Sequence, residues 1–365
     1  MPNLLTPNAP PPKKAFALGT SLFPVPVNGQ PLVYSAGNTS TLSPIPKTGF
    51  LGRLRYTFKG TVTVGTAIAT PAGYIVPLWK LVSNYTLQNS LNYPYRSLSG
   101  WDIWFEQQVR TAFSGGDPLS SSLTFLAPNL NSATQQNVEF SFVDDIWHND
   151  GVNFSRYLLS AMTTSNDLTI NFTWAQPSVL NYSTGVVTAA TGTMNVSAEY
   201  LTVPNPAEYQ WPRRNLIQQI IGDPSYNTPS VGLNTVNLTP IQGPEFLGIG
   251  IQIVDSVTGP DFSNLTNVTI DVNGSIPLYN FTLADLISRY ERTFRRSPAN
   301  GFLYLDFSND LGLIDAMSHT HRKVLSTSKY SQVSINATLQ TGFTGGAGAY
   351  INIWKRTQQA YSQNS

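Results

Sequence analysis

Apolar and polar positions alternate along Asn137-Val-Glu-Phe-Ser-Phe142, closed by Val143, and along Leu168-Thr-Ile-Asn-Phe-Thr-Trp174. That period of two is the signature of a strand with one buried face. Further short β-type runs bounded by turn residues predict strands at 50–64, 73–83, 101–105, 121–127 and 191–203. The same grammar returns at 245–258, 266–272, 275–280, 301–307, 330–340 and 349–356. Helical spacing is rarer. It predicts pieces at 105–113, at 154–162 with Phe154, Tyr157, Leu158 and Ala161 on one face, and at 213–221 before Gly222-Asp-Pro224. The strongest helix spans 283–296. Thr282 caps it, Asp285 takes the third helical position, and Leu283, Leu286, Ile287, Tyr290 and Phe294 form one stripe. Arg289, Arg292, Arg295 and Arg296 crowd its other face and C-terminal end, where cations suit the helix dipole.

One stretch occurs twice. Leu42, Pro44, Ile45, Phe50, Leu51 and Gly52 recur without a gap as Leu238, Pro240, Ile241, Phe246, Leu247 and Gly248, and each copy opens a long strand. A repeat this long fits a whole domain rather than a solenoid unit. A strand–helix–strand echo supports it, after Trp101 in the first half and after Ile276 in the second. Phe50 is therefore expected to superpose on Phe246 and Gly52 on Gly248. Many short strands per half, with helices only as insertions, predict an all-β chain of two tandem eight-stranded jelly rolls. The expected divisions are a Pro-rich arm and surface strap at 1–40, a first roll at 41–206, a linker with a short helix at 207–240, a second roll at 241–356 and a tail at 357–365.

Composition narrows the chemistry. Apolar residues make up 41 % of the 365, enough for a sizeable core, while charged residues are only 11 %, against about a quarter in ordinary globular chains. A surface so poor in charge suits burial against copies of itself, because each unpaired charge would cost desolvation. The net charge of +1 gives no overall field for nucleic acid. With no cysteine, disulfides, thiolate metal sites and Cys nucleophiles are excluded. No apolar run approaches the ~20 residues that span a bilayer, and Pro2, Pro7 and Pro10–Pro12 ahead of Lys13-Lys14 leave no signal-peptide pattern.

Two local stretches then bring a family into view. One is Ser99-Gly-Trp-Asp-Ile-Trp-Phe105, read as a turn leading into an aromatic strand. The other is the Arg-rich helix 289–296, followed by Ser297-Pro-Ala-Asn-Gly301 and Phe302-Leu-Tyr-Leu-Asp306. With the tandem-roll organisation, over about residues 42–356, the chain resembles the double jelly-roll major capsid proteins of tailless icosahedral viruses with an internal membrane. This is the tectivirus type, distantly similar to the adenovirus hexon. It departs from the bacterial members in its Pro-rich arm and its low charge. The resemblance implies a structural capsid protein, not an enzyme, with no catalytic, cofactor-binding or metal residues. It implies homotrimeric, pseudo-hexagonal capsomers over an internal membrane, in the virion shell, made in the host cytoplasm. The implied partners are its own copies, penton and minor capsid proteins, and viral membrane lipid through the arm, with no sequence-specific nucleic-acid binding.

The residues able to carry chemistry form no constellation. His319 and His321 share one strand face without an evident third metal ligand, and His148 stands alone. Asp144 and Asp145, being adjacent, face opposite ways and make a poor acid–base pair. Gly342-Phe-Thr-Gly-Gly-Ala-Gly348 lacks the Lys and the following helix of a phosphate loop, so a hairpin loop is expected. Arg213-Arg214 and the 289–296 arginines suit either phosphates or helix caps and scarce carboxylates such as Asp306 and Asp310. A carbohydrate-binding or spike-like jelly roll stays open as an alternative, since 17 Tyr and 7 Trp are available for an aromatic platform. A jelly-roll enzyme lacks a constellation. Asn-x-Ser/Thr triplets are numerous, among them Asn84, Asn171, Asn195, Asn267, Asn280 and Asn336, and most are expected to carry no sugar.

Overall fold

The computed structural model describes residues 14–15, 21–27, 31–42, 45, 50–70, 76–89, 92–113, 125–146, 159–160, 167–202, 209–210, 216–222, 226–238, 245–274, 276–294, 296–307, 325–326, 332–346 and 348–360. The first half holds β1 (Ser21–Pro26), β2 (Thr39–Leu42), β3 (Phe50–Thr66), β4 (Val82–Asn89), β5 (Pro94–Leu98), α1 (Gly100–Phe113), β6 (Gln135–Asp145), β7 (Leu168–Trp174) and β8 (Val186–Thr202). A connecting strand, β9 (Leu216–Gly222), leads to β10 (Gly232–Asn237), β11 (Glu245–Asp255), β12 (Leu265–Val272) and β13 (Ile276–Thr282). The chain ends with α2 (Leu283–Phe294), β14 (Phe302–Asp306), β15 (Val333–Leu339) and β16 (Tyr350–Ala360).

The two halves repeat one strand order. In the first, one sheet runs β1-β8-β3-β6 and the other β5-β4-β7-β2; in the second, these become β9-β16-β11-β14 and β13-β12-β15-β10. Each half is a jelly roll, and the chain is a double jelly roll. The inner faces differ in composition. Roll 1 is filled by rings: Tyr56 stacks on Phe142 at 4.4 Å, Phe58 on Phe140 at 5.0 Å and Phe172 on Trp174 at 5.7 Å. Roll 2 is mainly aliphatic, with Ile249, Ile251, Ile253, Val268, Ile270, Ile335, Ile351 and Ile353 in its core. Either set excludes water at about 25 cal/mol per Å² of apolar surface buried, so the fold holds while the letters change.

The repeated motif aligns one residue away from its letters. Core positions Leu51, Leu54, Tyr56 and Phe58 of β3 match Phe246, Ile249, Ile251 and Ile253 of β11, a displacement of 195 where the sequence repeat reads 196. The pairing with the neighbouring strand skips Gly52 in roll 1 and Leu247 in roll 2. The Gly52 carbonyl accepts from Ile146 N–H at 2.9 Å, and the Leu247 carbonyl from Phe307 N–H at 3.0 Å. Gly52 thus corresponds to Leu247, and the expected superposition of Phe50 on Phe246 is corrected by one position. A one-residue slip would turn every core side chain outward, so facing wins over letters.

Several expected elements change. Trp101–Trp104 is helical, because α1 starts at Gly100 with Ser99 and Asp102 as a reciprocal cap. The predicted strand 73–83 yields a short 3-10 turn at Leu78–Leu81, with β4 beginning at Val82. Residues 216–221 of the predicted linker helix form β9, and Leu159–Ser160 of the predicted 154–162 helix pairs with β3. The strap is part of roll 1: β1 pairs with β8, while Val27, Leu32 and Tyr34 enter the core. Strand β16 runs past 356, so residues 357–360 belong to a sheet. The arm residues 1–13 lie outside the described residues.

The Asn-x-Thr triplets have a structural cause. On a strand, residues two apart share a face. Asn171 Nδ2 donates to Thr86 Oγ1 at 3.1 Å on the outer face of roll 1, and Asn336 Nδ2 to Thr269 Oγ1 at 3.2 Å on the matching face of roll 2. An outer face of alternating Asn and Thr writes such triplets as a consequence of strand pairing.

Candidate functional site: the junction between the rolls

His148, His319, His321, Arg213, Arg214, Arg295 and Asp310 lie outside the described residues. Asp144 is buried in roll 1, where its Oδ1 accepts from Arg96 Nε at 3.0 Å and its Oδ2 from Tyr85 O–H at 2.9 Å; Tyr56 O–H donates to Tyr85 at 2.8 Å. Burial, then the Asp144 charge, pushes both tyrosines well above the ordinary phenol pKa, so they stay protonated donors. The Gly-rich segment is a turn between β15 and β16, held by Thr344 N–H donating to Asp255 Oδ2 at 2.6 Å. Arg289 lies 4.6 Å over the Phe281 ring. Among the described residues no group of three or more His, Cys, Asp or Glu is placed to hold a metal.

The polar chemistry gathers instead where the rolls meet. Asp102 and Glu106 stand four apart on α1 and so share a face. Asp102 Oδ2 accepts from the Ser99 N–H and Oγ–H, both at 2.8 Å, and Oδ1 accepts from Asn352 Nδ2 of roll 2 at 2.7 Å. Glu106 Oε1 accepts from Trp354 Nε1 at 3.0 Å, and Oε2 from Arg356 Nη2 at 2.6 Å. These five side chains bridge about 250 residues of chain within one hydrogen-bond length. Arg356 also lies over the Tyr304 ring.

Small residues make the fit. A Cβ on Gly250 would lie 1.8 Å from the Trp354 indole, and one on Gly248 would lie 2.0 Å from the Tyr304 hydroxyl. Gly100 lets α1 start against the Trp79 carbonyl, which a Cβ would meet at 1.8 Å. Around this polar centre Trp104 stacks on Trp79 at 5.1 Å, and Trp101 and Trp104 pack on Phe302 of roll 2 at 5.6 and 4.8 Å. Beside it, β9 pairs antiparallel with β16 and parallel with β5, making one sheet out of a sheet from each roll.

Electrostatics follow burial. Asp102 is 2 % exposed, and loss of water, helped by the Glu106 charge, outweighs its hydrogen bonds and lifts its pKa to about 6. For Arg356, burial opposes the charge, but the Glu106 carboxylate and Tyr304 outweigh it and the pKa is raised.

This geometry is a structural joint between the two rolls. Sequence reasoning did not find the joint's roll 2 side, because Asn352, Trp354 and Arg356 sit in an ordinary β-run. The α1 side had a signal in Ser99-x-x-Asp102, the spacing of a reciprocal cap.

No family model and no curated protein matches the chain. Solved structures do. The fold is that of the double jelly-roll major capsid proteins. The chain is similar to the STIV MCP at 12 % identity, with a TM-score of 0.65, over 93 % of this chain and 97 % of that one. It is also similar to the PBCV-1 virus capsid protein at 14 % identity, with a TM-score of 0.63, over 93 % of each chain. The major capsid protein from bacteriophage PM2 matches at 10 % identity, with a TM-score of 0.57, over 95 % of this chain and 99 % of that one.

Two outcomes are expected at the joint. Breaking the buried pair with Arg356→Ala should destabilise the protein by about 3–5 kcal/mol, because Glu106 is left charged and unpaired. A Glu106→Leu/Arg356→Met double variant should cost less than that single change. Urea unfolding of each measures this, and a double variant worse than Arg356→Ala contradicts it. The second outcome concerns pH. The folded pKa of Asp102, about 6, lies above its unfolded value of about 3.9. Its contribution to stability is therefore full below about pH 4 and lost as pH rises through about 6. Comparing Asp102→Asn with the parent should show the stability difference moving in the variant's favour by roughly 2–3 kcal/mol between pH 4 and pH 7. A difference that is flat with pH refutes the assignment.

Proposed function

We propose that this chain is the major capsid protein of an icosahedral virus, assembling as a homotrimer into pseudo-hexagonal capsomers over an internal membrane. The observation that carries the reading is the double jelly roll itself, shared along almost the whole chain with capsid proteins of comparable length. Two similar rolls per chain let three chains present six similar lobes, and closed cyclic symmetry then satisfies every interface. A chain with only 11 % charged residues suits large contacts between copies.

The rest of the assembly is proposed on the same footing. Residues 1–13 serve as arm; the first roll takes in the strap from β1 and runs to the end of β8 at 202, and the second roll runs from β9 to the end of β16 at 360. The arm points to the shell's inner side, where Lys13-Lys14 meets anionic headgroups. Penton and minor capsid proteins fill the vertices and seams. The protein is made in the host cytoplasm and resides in the virion. An enzyme role draws no support from the polar groups described above. The carbohydrate-binding alternative needs an open aromatic platform, whereas Trp174 and Trp354 are buried and Trp79, Trp101 and Trp104 pack together at the joint.

Size-exclusion chromatography with light scattering at micromolar protein and neutral pH should return three times the 39.9 kDa chain mass. A species that stays monomeric with rising concentration overturns the trimer.

A further inference from the structure

The joint inside the chain has a counterpart at the matched positions of the two rolls. Strand registers fix the correspondence. Tyr85 faces Leu98 in roll 1 as Val268 faces Phe281 in roll 2, with 183 residues between counterparts in both cases. The helices that follow keep the same displacement, since Ser99 and Asp102 cap α1 as Thr282 and Asp285 cap α2. On the other side, Glu199 faces Arg53 as Arg356 faces Gly248, and Asn195 faces Thr57 as Asn352 faces Gln252. Arg53 and Gly248 are themselves matched, each facing the last residue of its neighbour strand, Asp145 or Asp306.

The contacts of the joint can therefore be carried over. Asp102 and Asn352 become Asp285 and Asn195, the same pair of residue types. Glu106 and Arg356 become Arg289 and Glu199, with the charges exchanged on both sides at once. In the single chain Asp285 is exposed on α2 and bonds to the Thr282 N–H and hydroxyl. Glu199 points from the outer face of β8 but is only 8 % exposed, covered by its ion pairs with Arg53 and Arg55, beside an exposed Asn195.

We propose that the joint recurs between chains, with α2 of one copy docking on the outer β8–β3–β6 face of a second copy, Arg289 meeting Glu199 and Asp285 meeting Asn195 and Arg55. A negative–positive pair on the helix then faces a positive–negative pair on the sheet. This deepens the capsomer reading and rests on it. A junction that leads from roll 1 to roll 2 within a chain, and from roll 2 to the next roll 1 between chains, is head-to-tail and closes into a ring.

The differences suit a contact made after folding. Trp101 against Phe302 becomes Ala284 against Ser141, so the second joint is smaller and less apolar. Chains that must stay soluble before they associate need that. Pro24 and Pro26 of β1, the counterpart of β9, lack N–H donors. The backbone ladder of the inner joint is therefore not copied, and the helix face carries the contact.

The absence of cysteine gives a clean test. Ala284→Cys and Ser141→Cys chains, each carrying one change, are co-expressed, treated with a short bismaleimide and run on a denaturing gel. Light scattering of the untreated sample and its melting temperature are recorded in parallel. The expected result is covalent dimer from the mixture and none from either variant alone. A chain with both changes should yield covalent trimer. A trimer by light scattering without cross-linking overturns this interface and leaves the capsomer reading standing. A well-folded monomer overturns both. Arg289→Glu, which sets like charge against Glu199, should raise the concentration needed for trimer at least tenfold; unchanged assembly contradicts the charge pairing.

Discussion

A carboxylate taken out of water needs a partner, and Glu106 has its partner on the other roll. That constraint ties the position of α1 to β16 across most of the sequence. Breaking the contact between the rolls would expose Trp101, Trp104 and Phe302 to water and separate Glu106 from Arg356. It would also unpair β9 from β16 or from β5. Two domains joined by a Pro-rich connection would by default move relative to each other. Here a shared sheet and a buried polar centre remove that freedom.

The duplicated architecture has diverged in chemistry while keeping its geometry. Tyr56, Tyr85 and Phe172 fill roll 1, where the matched positions of roll 2 hold Ile251, Val268 and Ala337. The rings of roll 1 surround an ion pair, Arg96–Asp144, whose carboxylate accepts from the Tyr85 hydroxyl, which in turn accepts from Tyr56. Roll 2 has Tyr279 and Leu305 at those positions and needs no such network. What persists in both rolls is the set of features with a geometric reason. These are the pairing order, the helix cap after the fifth strand, and the outer rows in which Asn171 meets Thr86 and Asn336 meets Thr269.

Much of this was legible in the sequence, and the failures have physical causes. Alternation placed β6 and β7, and the cap and stripe of α2 located a helix without tertiary help. The Pro-led turn marks the duplication, but its repeated letters run one residue off the repeated facing, so letters alone give the wrong register. Trp101–Trp104 was read as a strand because aromatic residues favour sheets; the cap at Ser99 and Asp102 decides otherwise. Residues 216–221 have a mixed pattern that also suits a helix, and only the open edges of β16 and β5 make them a strand. The joint itself was not legible. Glu106 and Arg356 are ordinary polar residues until the fold sets them 2.6 Å apart.

The central claim is that the two rolls form one cooperative unit. Differential scanning calorimetry of the folded chain tests it most directly. The account predicts a single transition in which the calorimetric and van't Hoff enthalpies agree per assembled unit. Two resolved transitions, with the Arg356→Ala variant changing neither their spacing nor their order, would contradict it.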